Sequence, residues 1–323
     1  MRLLFALLVM SLTACADWQE DIYNFGVEAE RSMSGLDKFN ITVAGHDWIY
    51  LDSAPGNPEN LPTVLMLHGF AVDKDNFIRF ARSFDDYRVI IPDLPGHGET
   101  SYNSDLTYDF INQTKWLAEF VDALGLKKFH IMGNSMGGGI SAMYAVERPE
   151  QVETITLIDA AGVYPPEPSD LQIILDNKGE NPLIVNKEED FDRLREFALE
   201  DGPFLPWPAP GVLARQAMAR KDINAKIFAD IHAVAEAAKE SDDHLQMLQQ
   251  IKHPVLILWG KEDRALDVSS VQVFEQYLPD SRSYIFEGVG HAPMLERPSD
   301  SAEIVLNFIN KPDSTTELLV SEE

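Results

Sequence analysis

The feature that most constrains this chain is a short glycine-rich motif, Gly-Asn-Ser-Met-Gly, at residues 133–137. The apolar run Phe129–Met132 precedes it, and a stretch of helical composition follows it. A serine placed between a strand and a helix in this way sits on a sharp turn that exposes its hydroxyl above the sheet. Residues two positions before and after such a serine have no room for a side chain. Gly133 and Gly137 meet that need, so the sequence predicts a nucleophile at Ser135.

A serine hydroxyl is a weak nucleophile at neutral pH, so it needs a histidine base and a carboxylate that orients the base. With this type of turn, the acid and then the histidine follow the serine along the chain. Asp263 comes just after an apolar strand segment, and His291 follows the next one in a glycine-rich loop. Asp159, which ends another predicted strand, and Glu262 are alternatives to Asp263 as the acid. We expect Ser135, Asp263 and His291 to meet at one edge of the sheet.

Catalysis by such a serine also needs donors for the negative charge that develops on the substrate oxygen. The apolar segment 63–67 runs into a His-Gly-Phe-Ala loop at residues 68–71. A loop in this position can direct a backbone N–H at the reaction centre, together with the N–H of the residue after the serine. We therefore assign the oxyanion donors to the backbone N–H groups of Phe70 and Met136. One such donor contributes about 3 kcal/mol.

Apolar, β-branched strand segments recur along the chain and alternate with segments of helical periodicity. This alternation predicts the α/β class, with a mostly parallel sheet flanked by helices on both faces. The first two strands are close together in sequence, which favours an antiparallel edge. The predicted strands are 39–43, 48–52, 64–67, 89–92, 129–132, 154–158, 255–259 and 283–286.

Residues 162–250 interrupt this alternation. A stretch of about ninety residues cannot be a structureless loop in a compact domain, and apolar positions recur in it at helical spacing. We therefore expect a helical cap, inserted after the sixth core strand of a core formed by residues 38–161 and 251–311. The proline- and aromatic-rich stretch 203–210 is expected to form a stiff apolar loop in this cap.

Five motifs together resemble the α/β-hydrolase family, and specifically its bacterial lipase and monoacylglycerol-lipase branch. The resemblance spans roughly residues 38–310, and it implies the α/β-hydrolase fold with an inserted helical cap. It also implies hydrolysis of acylglycerols or other lipid-like esters, with Ser135, Asp263 and His291 as the catalytic triad, and no cofactor. The motifs are His68-Gly69-Phe70, Asp73–Phe77, Ile91–Gly98, Gly133–Gly138 and Val289–His291.

Two other functions are compatible with the same residues. The Gly-Asn-Ser-Met-Gly-Gly motif also occurs in relatives that cleave carbon–carbon bonds of ring-fission products. Their oxyanion loop is usually richer in glycine than residues 68–71 of this chain, which favours the lipase branch. A non-catalytic binding lipoprotein on the same fold is the other alternative, and the presence of all three triad candidates argues against it.

The amino terminus predicts export from the cytoplasm. Arg2 is followed by the apolar run Leu3–Met10, which has the length of a signal peptide and is too short to span a membrane. The residues Leu12-Thr13-Ala14-Cys15 resemble the bacterial lipoprotein cleavage box. This resemblance implies removal of residues 1–14, lipidation of Cys15 and a lipid-anchored enzyme of the bacterial cell envelope.

Cys15 is the single cysteine of the 323 residues, so no disulfide can form within the chain. Several acyl chains on it would hold the protein stably at a membrane, with residues 15–37 as a polar tether. Ordinary secretory cleavage after Ala16 is the alternative, and it would give a secreted soluble enzyme.

The composition limits the partners that this chain can have. Its 53 acidic and 26 basic residues give a formal net charge of −27, which disfavours nucleic acid and anionic lipid headgroups. We see no cluster of metal ligands and no sign of an obligate protein partner. The last residues, 312–323, are predicted to be an acidic tail.

Overall fold

The computed structural model describes residues 2–238 and 241–312, with side chains described from Trp18 onward. The side chain of Cys15 and nearly all of the predicted acidic tail, 312–323, lie outside the described part. The predictions of lipidation and of the tail therefore stay predictions.

In the part of the chain that the structure describes, eight strands form one central sheet in the order β1-β2-β4-β3-β5-β6-β7-β8. The pairs β1–β2 and β2–β4 are antiparallel, and every other neighbouring pair is parallel. This confirms the mostly parallel sheet and its antiparallel edge. The strands are β1 (Asp37–Val43), β2 (His46–Asp52), β3 (Thr63–Leu67), β4 (Arg88–Pro92), β5 (Phe129–Asn134), β6 (Val152–Ile158), β7 (Val255–Gly260) and β8 (Ser281–Phe286).

Helices cover both faces of the sheet because the central strands bury side chains on both sides. All residues of β3, β4, β5 and β7 are buried, as their continuous apolar sequences predict. Successive side chains of a strand point to opposite faces, so Leu65 and Met66 belong to different core clusters. The first cluster packs on α3 (Phe110–Ala123), α4 (Met136–Glu147) and α10 (Ser270–Tyr277), and the second on α2 (Ile78–Ala81), α11 (Pro293–Glu296) and α12 (Pro298–Asn310).

Between β6 and β7 the described residues form five helices, at the place where the sequence predicts an inserted cap. The proline-rich stretch before α7 carries two of the more exposed aromatic side chains, Phe204 and Trp207. The helices are α5 (Asp170–Asp176), α6 (Glu189–Ala198), α7 (Ala209–Ala219), α8 (Lys221–Ala238) and α9 (Asp243–Leu248).

The amino-terminal segment differs from the polar tether expected for residues 15–37. It forms a helix, α1 (Arg2–Met33), that packs on the core. Buried Arg31 binds both carboxylate oxygens of Asp75 at 2.6 and 2.8 Å, and Arg79 binds Glu30. These partners are more than forty residues apart in sequence, so the local pattern gave no sign of docking. Within the described chain, no helix combines the length and the apolarity needed to cross a bilayer.

Candidate active site

Ser135 occupies the turn between the end of β5 and the start of α4. Its backbone has φ 54° and ψ −117°, a conformation that is costly for a residue with a side chain. A Cβ at Gly133 would lie 2.2 Å from the backbone of Gly137, and a Cβ at Gly137 would lie 2.3 Å from the carbonyl oxygen of Leu67. The glycines are therefore required by the close approach of three backbone segments, as the sequence predicts.

Backbone hydrogen bonds to the neighbouring strand β6 and the segment after it hold this strained turn in place. The Ser135 N–H donates to the carbonyl of Ile158 at 2.9 Å, and the Ser135 carbonyl accepts from Ala161 at 3.0 Å. Ile158 is the last residue of β6, and Ala161 lies in the segment that follows it. The chain around the end of β6 therefore fixes the serine above the sheet.

Asp263 and His291 are in direct contact. The Nδ1 atom of His291 lies 2.7 Å from Oδ2 of Asp263, whose side chain is fully buried. The second carboxylate oxygen of Asp263 accepts the backbone N–H groups of Ala265 at 2.8 Å and Leu266 at 3.0 Å. With the Nδ1 proton donated to the carboxylate, the Nε2 atom of His291 is left with a free lone pair. The pair thus has the arrangement of a base and its orienting acid.

The backbone of the histidine loop brings His291 to the serine turn. The carbonyl of His291 accepts a hydrogen bond from the side-chain amide of Asn134 at 2.9 Å, and Asn134 is the residue before the serine. The N–H of His291 donates to the carbonyl of Ala198, at the end of α6, at 2.7 Å. The histidine loop, whose base contacts Asp263, is therefore bonded to the residue before Ser135, although it lies more than a hundred residues further along the chain.

The two alternative acids have other contacts. The Glu262 carboxylate accepts the backbone N–H of Val289 at 3.1 Å, so it shapes the histidine loop. Asp159 is completely buried, and its Oδ1 accepts the N–H of Gly260 at 2.8 Å. Burial and the charge of nearby Asp263 raise the pKa of the Asp159 carboxyl well above its usual range. These contacts favour Asp263 as the ionised partner of the histidine.

The loop after β3 lies against the serine. A Cβ on Gly69 would be 3.2 Å from the Cβ of Ser135, so the backbone of this loop passes directly beside the predicted nucleophile. Met136 is the first residue of α4, where backbone N–H groups have no partner within the helix and the helix dipole favours negative charge. The positions of Phe70 and Met136 are thus compatible with the predicted oxyanion donors.

The side chain of His68 stabilises the loop after β3 through two hydrogen bonds. Its Nε2 atom accepts the N–H of Leu94 at 2.9 Å, which leaves Nδ1 as the donor to the carbonyl of Gly69 at 2.7 Å. Burial lowers the pKa of His68, so it stays neutral in this role. The histidine of the His-Gly-Phe motif is therefore a structural residue that fixes the bend of the loop.

Comparison with known proteins identifies the family of this chain. The model of the α/β-hydrolase fold family matches residues 62–298. The chain belongs to the α/β-hydrolase family. It is 34% identical to lipase 1 of Psychrobacter immobilis over 281 residues, which cover 86% of this chain and 85% of that enzyme. It is 33% identical to a monoacylglycerol lipase of Xenopus laevis over 275 residues, 81% of this chain and 80% of the relative.

One solved structure is similar to this hydrolase over nearly its whole length. A crystal structure described as a membrane phospholipase A and bacterial virulence factor superimposes with a TM-score of 0.86 at 36% sequence identity. The match covers 98% of this chain and all of that one. The α/β-hydrolase fold predicted from the motifs is therefore confirmed.

One supporting residue of this hydrolase was missed by the sequence analysis. Glu296 is buried at the end of α11, and its Oε1 accepts the N–H of Gly290 at 2.9 Å. Its Oε2 accepts the N–H groups of Glu200 and Asp201, both at 2.7 Å. One carboxylate thus joins the histidine loop to the segment that follows α6. The sequence carried no signal for this, because an isolated glutamate near a short helix is typical of exposed positions as well.

Asp159, Asp263 and His291 offer donor atoms within 4.8 Å of one another. The hydrogen bond between His291 Nδ1 and Asp263 occupies the contact that a metal ion would need, and two backbone N–H groups occupy the other oxygen of Asp263. This set of contacts fits a hydrogen-bonded acid–base relay better than a metal centre.

Proposed function

We propose that this α/β-hydrolase cleaves carboxylic esters of acylglycerols or similar lipids through an acyl-enzyme on Ser135. The observation that carries the proposal is the 2.7 Å contact between His291 and Asp263, on a loop bonded to the residue before the serine. The relatives support the substrate class, because they are described as lipases and as a phospholipase.

In the first step, the Oγ atom of Ser135 attacks the ester carbonyl while Nε2 of His291 takes its proton. The carbon–oxygen π bond opens, and the resulting oxyanion accepts the N–H groups of Phe70 and Met136. Collapse of this intermediate breaks the bond to the alcohol, which leaves with the proton held by His291. Asp263 stabilises the imidazolium throughout and is not itself protonated.

In the second step, water replaces the alcohol. His291 removes a proton from the water as it attacks the acyl-enzyme, and the same N–H groups stabilise the second oxyanion. Breaking of the acyl–serine bond releases the fatty acid and returns the proton to Ser135. Each residue thus has the same role in both halves of the cycle.

We propose that residues 162–250 form the cap and provide the wall for the acyl chain. The ring of Phe70 packs against Phe228 of α8 at 5.6 Å between centroids, so this helix covers the oxyanion loop. Arg220, at the end of α7, donates to the carbonyls of Gly96 and Gly98 in the core. A covered site excludes water and strengthens the electrostatic interactions of the oxyanion.

We also propose that Cys15 carries the lipid anchor and that the enzyme acts at the bacterial cell envelope. The cleavage-box sequence supports this, and several acyl chains at about 0.8 kcal/mol per buried methylene give stable attachment. Fractionation of the wild type and of Cys15→Ala tests it, with incorporation of a labelled fatty acid as the direct readout. Equal membrane recovery and labelling of both forms would point to another anchor, and absence of label and of membrane recovery from both would point to the secreted soluble alternative.

Hydrolysis of an ester series by the wild type and by Ser135→Ala tests the catalytic proposal. We expect loss of nearly all activity, by a factor of about 10⁶. Ser141→Ala is the matched control, because this buried serine lies on α4, the helix that follows Ser135, and its hydroxyl donates to the carbonyl of Gly137. Full activity of Ser135→Ala rejects the proposal.

The two alternative functions predict different results. A carbon–carbon hydrolase would turn over a ring-fission dienoate and leave acylglycerols untouched. A non-catalytic lipoprotein would fail to react with a fluorophosphonate, whereas a serine with an activated hydroxyl is labelled covalently.

A further inference from the structure

Asp159 is a buried carboxyl group for which the proposed reaction has no step. It follows the last residue of β6, is completely inaccessible to solvent and has φ 42°, which is uncommon for a residue with a side chain. Its Oδ1 atom is held by the N–H of Gly260 at the end of β7. Its Oδ2 atom receives no hydrogen bond from any described residue.

The surroundings of Asp159 are mostly acidic. The Asp263 carboxylate faces it from the loop after β7, Glu296 from α11, and the imidazole of His291 from the loop after β8. Donor atoms of Asp159, Asp263 and His291 all lie within 4.8 Å of one another. Two buried carboxylates this close cannot both ionise without a large penalty, so the pair keeps one proton.

The hydrogen bonds decide which carboxyl holds that proton. Asp263 accepts two backbone N–H groups on one oxygen and the histidine on the other, and such bonds stabilise an ionised carboxylate. Among the described residues, Asp159 accepts only one N–H group, from Gly260, and because it is completely buried its ionised form is unfavourable. The ionised site is therefore Asp263 and the neutral one is Asp159.

We propose that Asp159 is a positioning residue, a neutral carboxylic acid that donates its Oδ2 proton to the carboxylate of Asp263. This inference rests on the proposed serine mechanism, in which Asp263 orients His291. The added donor fixes the carboxylate behind the histidine and takes up part of its negative charge. A neutral Asp159 also keeps a second negative charge away from the imidazole, which must lose its proton in each cycle to act as a base.

Asp159→Asn preserves the proposed hydrogen bonds, because the amide oxygen can accept from Gly260 and the amide nitrogen can donate to Asp263. We expect it to retain kcat within about fivefold of the wild type. Asp159→Leu removes both bonds, and we expect kcat to fall by about tenfold or more with little change in KM. We also expect the acid side of its pH–rate profile to move to higher pH, which a merely structural effect would not produce.

Asp263→Asn is measured beside these variants, with an expected loss of about 10⁴-fold. The proposal is overturned if Asp159→Asn loses as much as Asp263→Asn, since Asp159 would then be the ionised acid. It is also overturned if Asp159→Leu matches the wild type in kcat and in its pH profile.

An infrared difference spectrum provides a readout that does not depend on activity or on folding of the leucine variant. The C=O stretch of a protonated Asp159 should remain in the wild-type minus Asp159→Asn difference at neutral pH, where the contribution of Asp73 is common to both proteins and cancels. Absence of this band from the difference spectrum refutes the proposal. If Ser135→Ala stays fully active, the proposed function fails, and the infrared band still decides the state of Asp159.

Discussion

Replacement of Glu296 by alanine tests whether the histidine loop is held by a residue outside the reacting groups. The change removes an acceptor shared by four backbone N–H groups, on Gly290, Ala292, Glu200 and Asp201. Gly290 is buried and its bond is 2.9 Å long, so loss of its charged acceptor costs about 1.5–3 kcal/mol. The Ala292 contact, at 3.4 Å, contributes little.

The other two donors are on exposed residues, where water can replace part of the lost bonds. Loss of each of these bonds therefore costs about 1 kcal/mol. We therefore expect Glu296→Ala to lower the free energy of unfolding by about 3–5 kcal/mol. Urea unfolding of the isolated protein measures this change. Because the same carboxylate fixes the loop of His291, we also expect kcat to fall by about tenfold or more under folding conditions, through misplacement of the base.

Two further variants make the Glu296 result specific. Glu296→Gln should lie between alanine and the wild type, because its amide keeps one acceptor oxygen and turns a donor toward the remaining N–H groups. Glu287→Ala is the matched control, since this exposed glutamate only pairs with Lys261 and should change stability by less than about 1 kcal/mol. If Glu296→Ala unfolds at the same urea concentration as Glu287→Ala and keeps full activity, the reasoning about the shared carboxylate is wrong.

Three other changes test the site and its surroundings. Gly69→Ala places a Cβ 3.2 Å from the Cβ of Ser135, and we expect steady-state assays to show a fall in kcat of about tenfold to a hundredfold. Arg31→Ala leaves the carboxylate of Asp75 without its cation, so chemical denaturation should show a loss of about 2–3 kcal/mol. Asp73 holds its proton up to a pKa of about 7 in the folded state, because of burial and the charge of Asp75, so ionising it costs stability as pH rises from 4 to 7. Asp73→Asn should therefore match the wild type at pH 4 and exceed it by about 1–2 kcal/mol at pH 8.

Each of these changes has a matched control on the same chain. Gly26→Ala is a glycine substitution in open space on α1, and it should leave kcat unaltered. Arg82→Ala removes an exposed arginine near α1, with an expected effect below about 0.5 kcal/mol. Asp85→Asn changes an exposed carboxylate near α2, and its free energy of unfolding should stay within about 0.5 kcal/mol of the wild type in the same assay. A control that behaves like its test variant would contradict the corresponding argument.

The sequence predicted the sheet well and selected the candidate reacting residues, because both have short-range signals. A glycine-flanked serine, a strand ending before Asp263 and a glycine-rich loop at His291 are each visible within a few residues. Parallel strands place such ends at one edge of the sheet, so convergence follows from topology alone. The docked helix α1 and the role of Glu296 depend on partners distant in sequence, and no local pattern encodes them.

The contacts of α6 connect the inserted helices directly to the proposed base. The carbonyl of Ala198 accepts the N–H of His291, and the next residues, Glu200 and Asp201, donate to the carboxylate that also holds Gly290. A Cβ at Gly290 would lie 2.7 Å from the Ala198 carbonyl oxygen, so the two segments are in contact as well as bonded. Movement of α6 away from the core must therefore break these hydrogen bonds or carry the histidine loop with it. Because a shift of about 1 Å in a catalytic group can cost a hundredfold in rate, the position of α6 and the reactivity of Ser135 are mechanically linked.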